Sequence, residues 1–269
     1  METWRAFSKE LVRPSRGLVA ARRLRRSSVL VFGLGGIGSV VCEILVRTGV
    51  ASATIWDVDR VSPSNLSRSG YVASDIGRAK SAALAERLRR INPGASVVPI
   101  EGDIRSATPE AIVNMGRRHD AALVAADNFS VHESLNVLLQ PVIRTVYTYV
   151  TENGNSGEIL CTAPGEPGCV RCLTNYRQRK RSGVARNFRA TCLGFQRVAI
   201  EAASAVLGIL LSNARGEQLF GQHADPSARL LLVVTRNSAG LAQALPRGFI
   251  SGTIAASTSA ARAQCPVCG

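Results

Sequence analysis

The sequence predicts an α/β protein built on a doubly wound sheet, and three observations carry that expectation. Val29-Leu30-Val31-Phe32 is a short apolar, β-branched run of the kind a buried parallel strand needs. Gly33-Leu34-Gly35-Gly36-Ile37-Gly38 comes next and opens into apolar residues at helical spacing from Ile37 to Val46. A second strand, Ala53-Thr54-Ile55-Trp56, then ends on Asp57, the order of a Rossmann-like nucleotide-binding unit.

Taken along the chain, residues 1–28 form a basic N-terminal segment, irregular or only locally helical, and 29–165 the Rossmann-like core. Residues 166–269 read as a crossover loop and a small C-terminal elaboration of the same domain. At the first turn, Gly33 and Gly35 allow close backbone approach. A helix beginning near Gly36 then points free N–H groups and its positive dipole end at a phosphate. Asp57, at its strand tip, is placed to accept hydrogen bonds from a ribose. Up to this point a dinucleotide-dependent dehydrogenase fits equally well.

The segment after Asp57 does not suit a dehydrogenase. Between Asp59 and Lys80 lies a polar connection holding Asn65, Arg68, Arg78 and Lys80, cations and amides able to reach the far phosphates of a triphosphate. Ile76-Gly77-Arg78-Ala79-Lys80 leads into a helix from Ser81 to Arg90 that ends at Asn92-Pro93-Gly94. A later strand, Ala121 to Ala126, ends on Asp127. A carboxylate at the C-terminal edge of a parallel sheet is well placed to hold Mg²⁺ beside those phosphates.

Four of the seven cysteines form two pairs, Cys169-Val170-Arg171-Cys172 and Cys265-Pro266-Val267-Cys268. Repeated C-x-x-C is the spacing of a tetrahedral Cys₄ zinc site. The competing readings are two disulfides or a redox motif; the odd total and the absence of a thioredoxin-like context favour zinc. Such a site would clamp the C-terminal segment to the body of the domain. Cys42 and Cys161 read as buried small hydrophobes.

At these residues the chain resembles the ubiquitin-activating-enzyme superfamily in its small bacterial form, the adenylyltransferases that activate the sulfur-carrier proteins of molybdopterin and thiamin synthesis. The resemblance runs from about Ser28 to the C-terminus and rests on Asn65-Leu66-Ser67-Arg68, Asp75-Ile76-Gly77-Arg78-Ala79-Lys80, Ile91-Asn92-Pro93 and Asp127-Asn128. It implies an ATP site at the strand C-terminal ends, with Gly33, Gly35, Gly36 and Gly38 at the turn and Asp57 on the ribose. Ser64, Asn65, Arg68 and Lys80 then hold the phosphates, and Asp127 holds magnesium. The implied reaction is attack of a carrier protein's C-terminal carboxylate on the α-phosphorus of ATP, giving an acyl adenylate and pyrophosphate. Phosphoryl-type transfer needs positioning and charge neutralisation more than covalent help. The family shows the same paired cysteines with a glycine after the second pair, the place Gly269 takes here.

The resemblance also marks two departures. Related enzymes place a cysteine near Cys192, which in some branches forms a thioester or persulfide, but Leu193-Gly194-Phe195-Gln196 lacks the usual glycine-rich continuation. Relatives reach into the partner subunit's ATP site with an N-terminal arginine; here Lys9 takes that position in Arg5-Ala6-Phe7-Ser8-Lys9-Glu10. Lysine lacks the planar fork of arginine, so phosphate recognition is less strict. Arg5 or Arg13 could compensate. The finger implies a homodimer.

At 269 residues and 46% hydrophobic content, the chain can bury one large α/β core. The longest apolar stretch, Ala202 to Leu211, is too short to span a bilayer and reads as a core helix. No membrane partner and a cytoplasmic location are expected. The net charge of +14 gathers in residues 1–28, net +6, and 171–189, net +7. The bland reading is solvated cationic segments. The sharper one is capture of an acidic protein or of nucleic acid, and the sparse aromatics, Tyr176 and Phe188, weaken a stacking platform for single strands. By the resemblance, 171–189 is the loop crossing over the ATP-bound tail, which favours a small ubiquitin-like or sulfur-carrier protein with a Gly-Gly tail.

Three functions are open to such a chain. The leading one is adenylation of that carrier's C-terminus. The second is activation of another carboxylate, as in the related tRNA-modifying dehydratases, which usually lack paired C-x-x-C, or in peptide-antibiotic enzymes. The third is a non-catalytic scaffold subunit, a class that commonly loses residues such as Arg68, Lys80 and Asp127.

Overall fold

The computed structural model describes residues 14–150, 156–166, 168–172, 192–212, 230–234 and 252–256, with Cys265 and Val267. Its elements are α1 (Pro14–Leu24), β1 (Ser28–Phe32), α2 (Gly38–Arg47), β2 (Ser52–Asp57), α3 (Lys80–Ile91), β3 (Ser96–Glu101), α4 (Pro109–Arg117), β4 (Ala121–Val124), α5 (Phe129–Leu139), β5 (Thr145–Val150), β6 (Ser156–Thr162), α6 (Cys192–Leu211), β7 (Leu230–Val234) and β8 (Gly252–Ala256).

One eight-stranded sheet takes the order β3-β2-β1-β4-β5-β6-β7-β8. The five strands from β3 to β5 are parallel, and β6, β7 and β8 add antiparallel to them. The chain winds outward from β1 through β2 to β3, then returns to β4 on the other side of β1. That reversal opens a crevice at the strand C-terminal ends, where open α/β sheets bind ligands.

Alternation along β1 explains why its run is apolar throughout. Val29 and Val31 join Val41 and Leu45 of α2, Leu84 and Leu88 of α3 and Ala202 and Val206 of α6 in one core. Leu30 and Phe32 join Ile112 of α4 and Leu135 and Leu139 of α5 in the core on the opposite face. A strand covered on both faces leaves no position for a polar residue. Helix starts obey cap chemistry: the Thr108 hydroxyl accepts from Ala111 N at 3.2 Å before Pro109, and Asn128 Oδ1 accepts from Ser130 N at 2.9 Å before α5.

The run around Cys161 is strand-like in sequence, but its antiparallel pairing with β5 and the extension of the sheet by β7 and β8 from the C-terminal part were not anticipated. The second half of the basic N-terminal segment is the packed helix α1, with Ala20 and Leu24 buried in the core and Arg23 Nη1 donating to Leu211 O at 3.0 Å. That contact answers an orphan carbonyl at the end of α6 and the negative pole of its dipole. Expected from Ala202, the helical apolar stretch in fact runs 20 residues from Cys192, a length and composition sufficient to cross a membrane. Val198, Ala202, Val206 and Leu210 lie at four-residue spacing and are buried against the rest of the fold, which makes α6 a core helix.

Two boundaries also differ. Helix α2 begins at Gly38 rather than near Gly36, and β4 stops at Val124 rather than at Ala126. The register pairs Phe32 with Val124, and β1 turns away at Gly33, so β4 loses its ladder partner there.

Candidate active site

The register sets Phe32 beside both Trp56 and Val124, so the chain leaves β1, β2 and β4 together at one edge of the sheet. Gly33 takes φ 87°, and a methyl group on it would stand 2.6 Å from Ala126 N. A methyl on Gly38 would overlap the Gly33 carbonyl oxygen. Both glycines are therefore required by the turn itself. Gly35 faces open space, with no atom within 4 Å of where its side chain would begin. The result is a backbone cradle open on one side, which suits close approach by a phosphate-bearing ligand.

Asp57 ties this cradle to the end of β2. Its Oδ2 accepts from Leu34 N at 2.5 Å and its Oδ1 from Asp59 N at 2.8 Å. Only 7% of Asp57 is exposed. Burial pushes its carboxyl up from the ordinary value, and the charge of Lys80 with the two amides opposes the rise. Tyr71 supports the same turn, its buried hydroxyl donating to Leu34 O at 2.8 Å.

Lys80 is the first residue of α3 and is buried. Its Nζ lies 2.7 Å from Asp59 Oδ2 and 4.0 Å from Asp57 Oδ1. The lysine read as a phosphate ligand is thus held by two carboxylates in the free protein. Asn65 sits in a 3₁₀ turn, Pro63–Asn65, where its Oδ1 accepts from Ser62 N at 2.8 Å. Ser64 on that turn is exposed, its hydroxyl 2.9 Å from that of Ser62.

Arg68, one turn later, is partly exposed and rests its guanidinium 5.3 Å from the centre of the Phe195 ring. Its carbonyl oxygen would stand 3.1 Å from a methyl on Gly36, which brings the Asn65–Arg68 segment against the glycine turn. Asp127 is exposed three residues beyond β4, next to the Ala125–Ala126 backbone that Gly33 touches. The fold thus gathers Gly33 to Gly38, Asp57, Asn65, Arg68, Lys80 and Asp127 around the crevice between β1 and β4. The sequence reading missed Asp59, Tyr71 and Phe195. Asp59 lay in view, two residues past Asp57; Phe195 carried no signal.

The cysteines converge elsewhere. Cys169 Sγ is 4.0 Å from Cys172 Sγ and 3.7 Å from Cys265 Sγ, and the three sulfurs lie within 4.8 Å of one another. A zinc tetrahedron with bonds of about 2.3 Å has edges of about 3.8 Å, so this donor set fits that ion. Val170 N donates to Asn136 Oδ1 at 3.2 Å, which fastens the cluster to α5. Cys42 is buried in α2 as expected, whereas Cys161 on β6 is only partly buried, because β6 lies beyond the doubly covered parallel strands. Cys192 is exposed at the start of α6. Lys9, Arg5, Arg13, Cys268 and residues 173–191 lie outside the described residues.

Comparison with known proteins shows what the chain is similar to. The sulfur carrier protein adenylyltransferase of Thermus thermophilus is 31% identical over 178 residues, covering 62% of this chain and 62% of its own length. The sulfur carrier protein ThiS adenylyltransferase of Escherichia coli is 30% identical over 169 residues, covering 62% of this chain and 66% of its own. Ubiquitin-like modifier-activating enzyme 5 of Aedes aegypti is 28% identical over 177 residues, 62% of this chain and 45% of its own. The chain thus spans about half the length of the modifier-activating relatives it matches. Among solved structures, E. coli MccB with ATP superposes with a TM-score of 0.67 at 18% identity, covering 94% of this chain and 69% of MccB. E. coli tRNA N6-threonylcarbamoyladenosine dehydratase reaches 0.63 at 20% identity, covering 81% and 99%. At those identities the likeness is one of fold. The ThiF family model matches residues 7–245, and the chain belongs to the ThiF family.

Proposed function

We propose that the protein is an ATP-dependent adenylyltransferase acting on the C-terminal carboxylate of a small ubiquitin-like or sulfur-carrier protein and releasing pyrophosphate. The observation that carries the reading is the convergence of the glycine cradle, Asp57 and the two cations Arg68 and Lys80 on the crevice between β1 and β4. Membership of the ThiF family and the names of the sulfur-carrier relatives support it.

In this reading the Gly33–Gly38 backbone receives the nucleotide, and Asp57 orients the ribose with lone pairs left over from its bonds to Leu34 and Asp59. Asn65, Arg68 and Lys80 hold the phosphates, and Lys80 exchanges its carboxylate partners for phosphate as ATP arrives. Asp127 is the acid for Mg²⁺, which when bound neutralises phosphate charge. The carrier's terminal carboxylate attacks the α-phosphorus; the bond to the bridging oxygen breaks, and pyrophosphate leaves with its electron pair. Cys169, Cys172, Cys265 and Cys268 hold Zn²⁺, which supplies a structural clamp rather than chemistry. The carrier fits the basic crossover loop by charge. A homodimer completed by Lys9, and a cytoplasmic setting, belong to the same proposal.

The test is ATP–pyrophosphate exchange, run with purified protein, Mg²⁺ and candidate Gly-Gly-ended carriers encoded near its gene. Exchange that depends on carrier and on Asp127 supports the reading. Exchange driven by a peptide or a tRNA-borne carboxylate instead would move the substrate to the second reading.

A further inference from the structure

We infer that Phe195 is the positioning residue of the phosphate site, its ring being the seat that holds the Arg68 guanidinium beside the glycine turn. What Arg68 does there rests on the adenylyltransferase reading; how Arg68 is held rests on geometry.

The two phosphate-site cations are held in opposite ways. Lys80 is buried and meets the Asp59 carboxylate at 2.7 Å. Arg68 has no carboxylate within ion-pair distance among the described residues, and its guanidinium instead lies 5.3 Å from the centre of the Phe195 ring. A ring face attracts a cation through its quadrupole without consuming an N–H donor. Among the described residues Arg68 is therefore held without a carboxylate partner, which leaves its planar edge for bidentate phosphate contact.

The same ring reaches the cradle. A methyl on Gly36 would lie 3.0 Å from Phe195 Cδ1 and 3.1 Å from the Arg68 carbonyl oxygen, so ring, arginine backbone and glycine turn meet in one contact. Phe195 stands on the first turn of α6, whose next buried residues, Val198, Ala199 and Ala202, anchor the helix in the core. The seat is thus supplied by a rigid element rather than by a loop. Leu193, two positions earlier, is 74% exposed. Phe195, half-buried, packs against the core as well as against Gly36 and Arg68, whereas Leu193 on the same turn faces solvent.

The test is a double-mutant cycle on the full-length chain, read by calorimetry of Mg·ATP binding and by the kcat and KM of pyrophosphate exchange. Phe195→Leu keeps apolar volume and removes the ring face; Phe195→Tyr keeps the ring. Phe195→Leu is expected to weaken Mg·ATP about five- to tenfold with an unchanged melting temperature, and Phe195→Tyr to restore most of that loss. In an Arg68→Ala background Phe195→Leu should add less than about twofold, because coupled residues do not add. Wild-type affinity in Phe195→Leu, or the same loss with and without Arg68, overturns the inference. A protein that binds Mg·ATP but exchanges with no carboxylate sinks the adenylyltransferase reading, while the binding cycle still decides Phe195. Failure of the wild type to bind Mg·ATP overturns both.

Discussion

Lys80 and Asp59 form an ion pair at 2.7 Å across the mouth of the nucleotide crevice, one partner buried and the other 59% exposed. The pair places a competitor for phosphate inside the site. Because Asp59 is largely solvated, its hold on Lys80 is weak, about 1 kcal/mol or less.

Asp59→Asn should therefore lower the KM for ATP by up to about fivefold. Lys80→Ala should reduce pyrophosphate exchange at least about a hundredfold, the scale for removing a preorganised charge contact. Steady-state kinetics decide between them. A raised KM in Asp59→Asn would mean that Asp59 aids nucleotide binding instead of competing with it.

Asp127→Ala should abolish exchange, since the other exposed acid at the site, Asp59, is engaged by Lys80 on the β2 side. The fold should tolerate the change, because Asp127 is exposed and lies outside β4. Full exchange activity in this variant would sink the adenylyltransferase assignment.

One zinc per chain is expected from elemental analysis of purified protein. Cys265→Ser should lower the melting temperature and leave Mg·ATP affinity alone, because the sulfur cluster is fastened to α5 rather than to the cradle. A metal-free chain with an unchanged melting temperature would remove the site from the fold.

Burial pushes the Cys42 and Cys161 thiols from 9.0 up to about 12. The folded state thus keeps protons that the unfolded chain releases, so stability holds below about pH 9 and falls as pH rises towards 12. Alkylation at about pH 8 should label exposed Cys192 first, partly buried Cys161 more slowly, and Cys42 only on unfolding. Equal labelling of Cys42 and Cys192 in the folded protein would contradict the packing of α2.

The legible part of the site lies within consecutive βα units. Val29–Phe32 and Ala53–Trp56 announce strands because both sheet faces are covered, and Gly33 and Gly38 announce the turn because its backbone excludes side chains. Asp57 and Lys80 come at spacings set by that unit. Asp127 is legible as a position, although the strand before it ends two residues sooner than its apolar run, where β1 turns away. The hold on Lys80 was not legible: Asp59 is one acid among several in a polar connection, and only the docking of α3 against β2 turns the lysine towards it.

Taken alone, the chain's pattern determined what local physics can encode: buried strands by apolar runs, helix ends by Asn92-Pro93 and the caps, a phosphate turn by glycines, and a thiol site by two C-x-x-C pairs. Tertiary structure decided what no local pattern carries. It added β6, β7 and β8 antiparallel to a parallel sheet, drew Cys265 to Cys169, made α6 a core helix and set Phe195 beneath Arg68. Those meetings join residues far apart in the chain, and which surfaces meet is settled by the packing of the whole core, where a side chain's partner depends on every element that covers it.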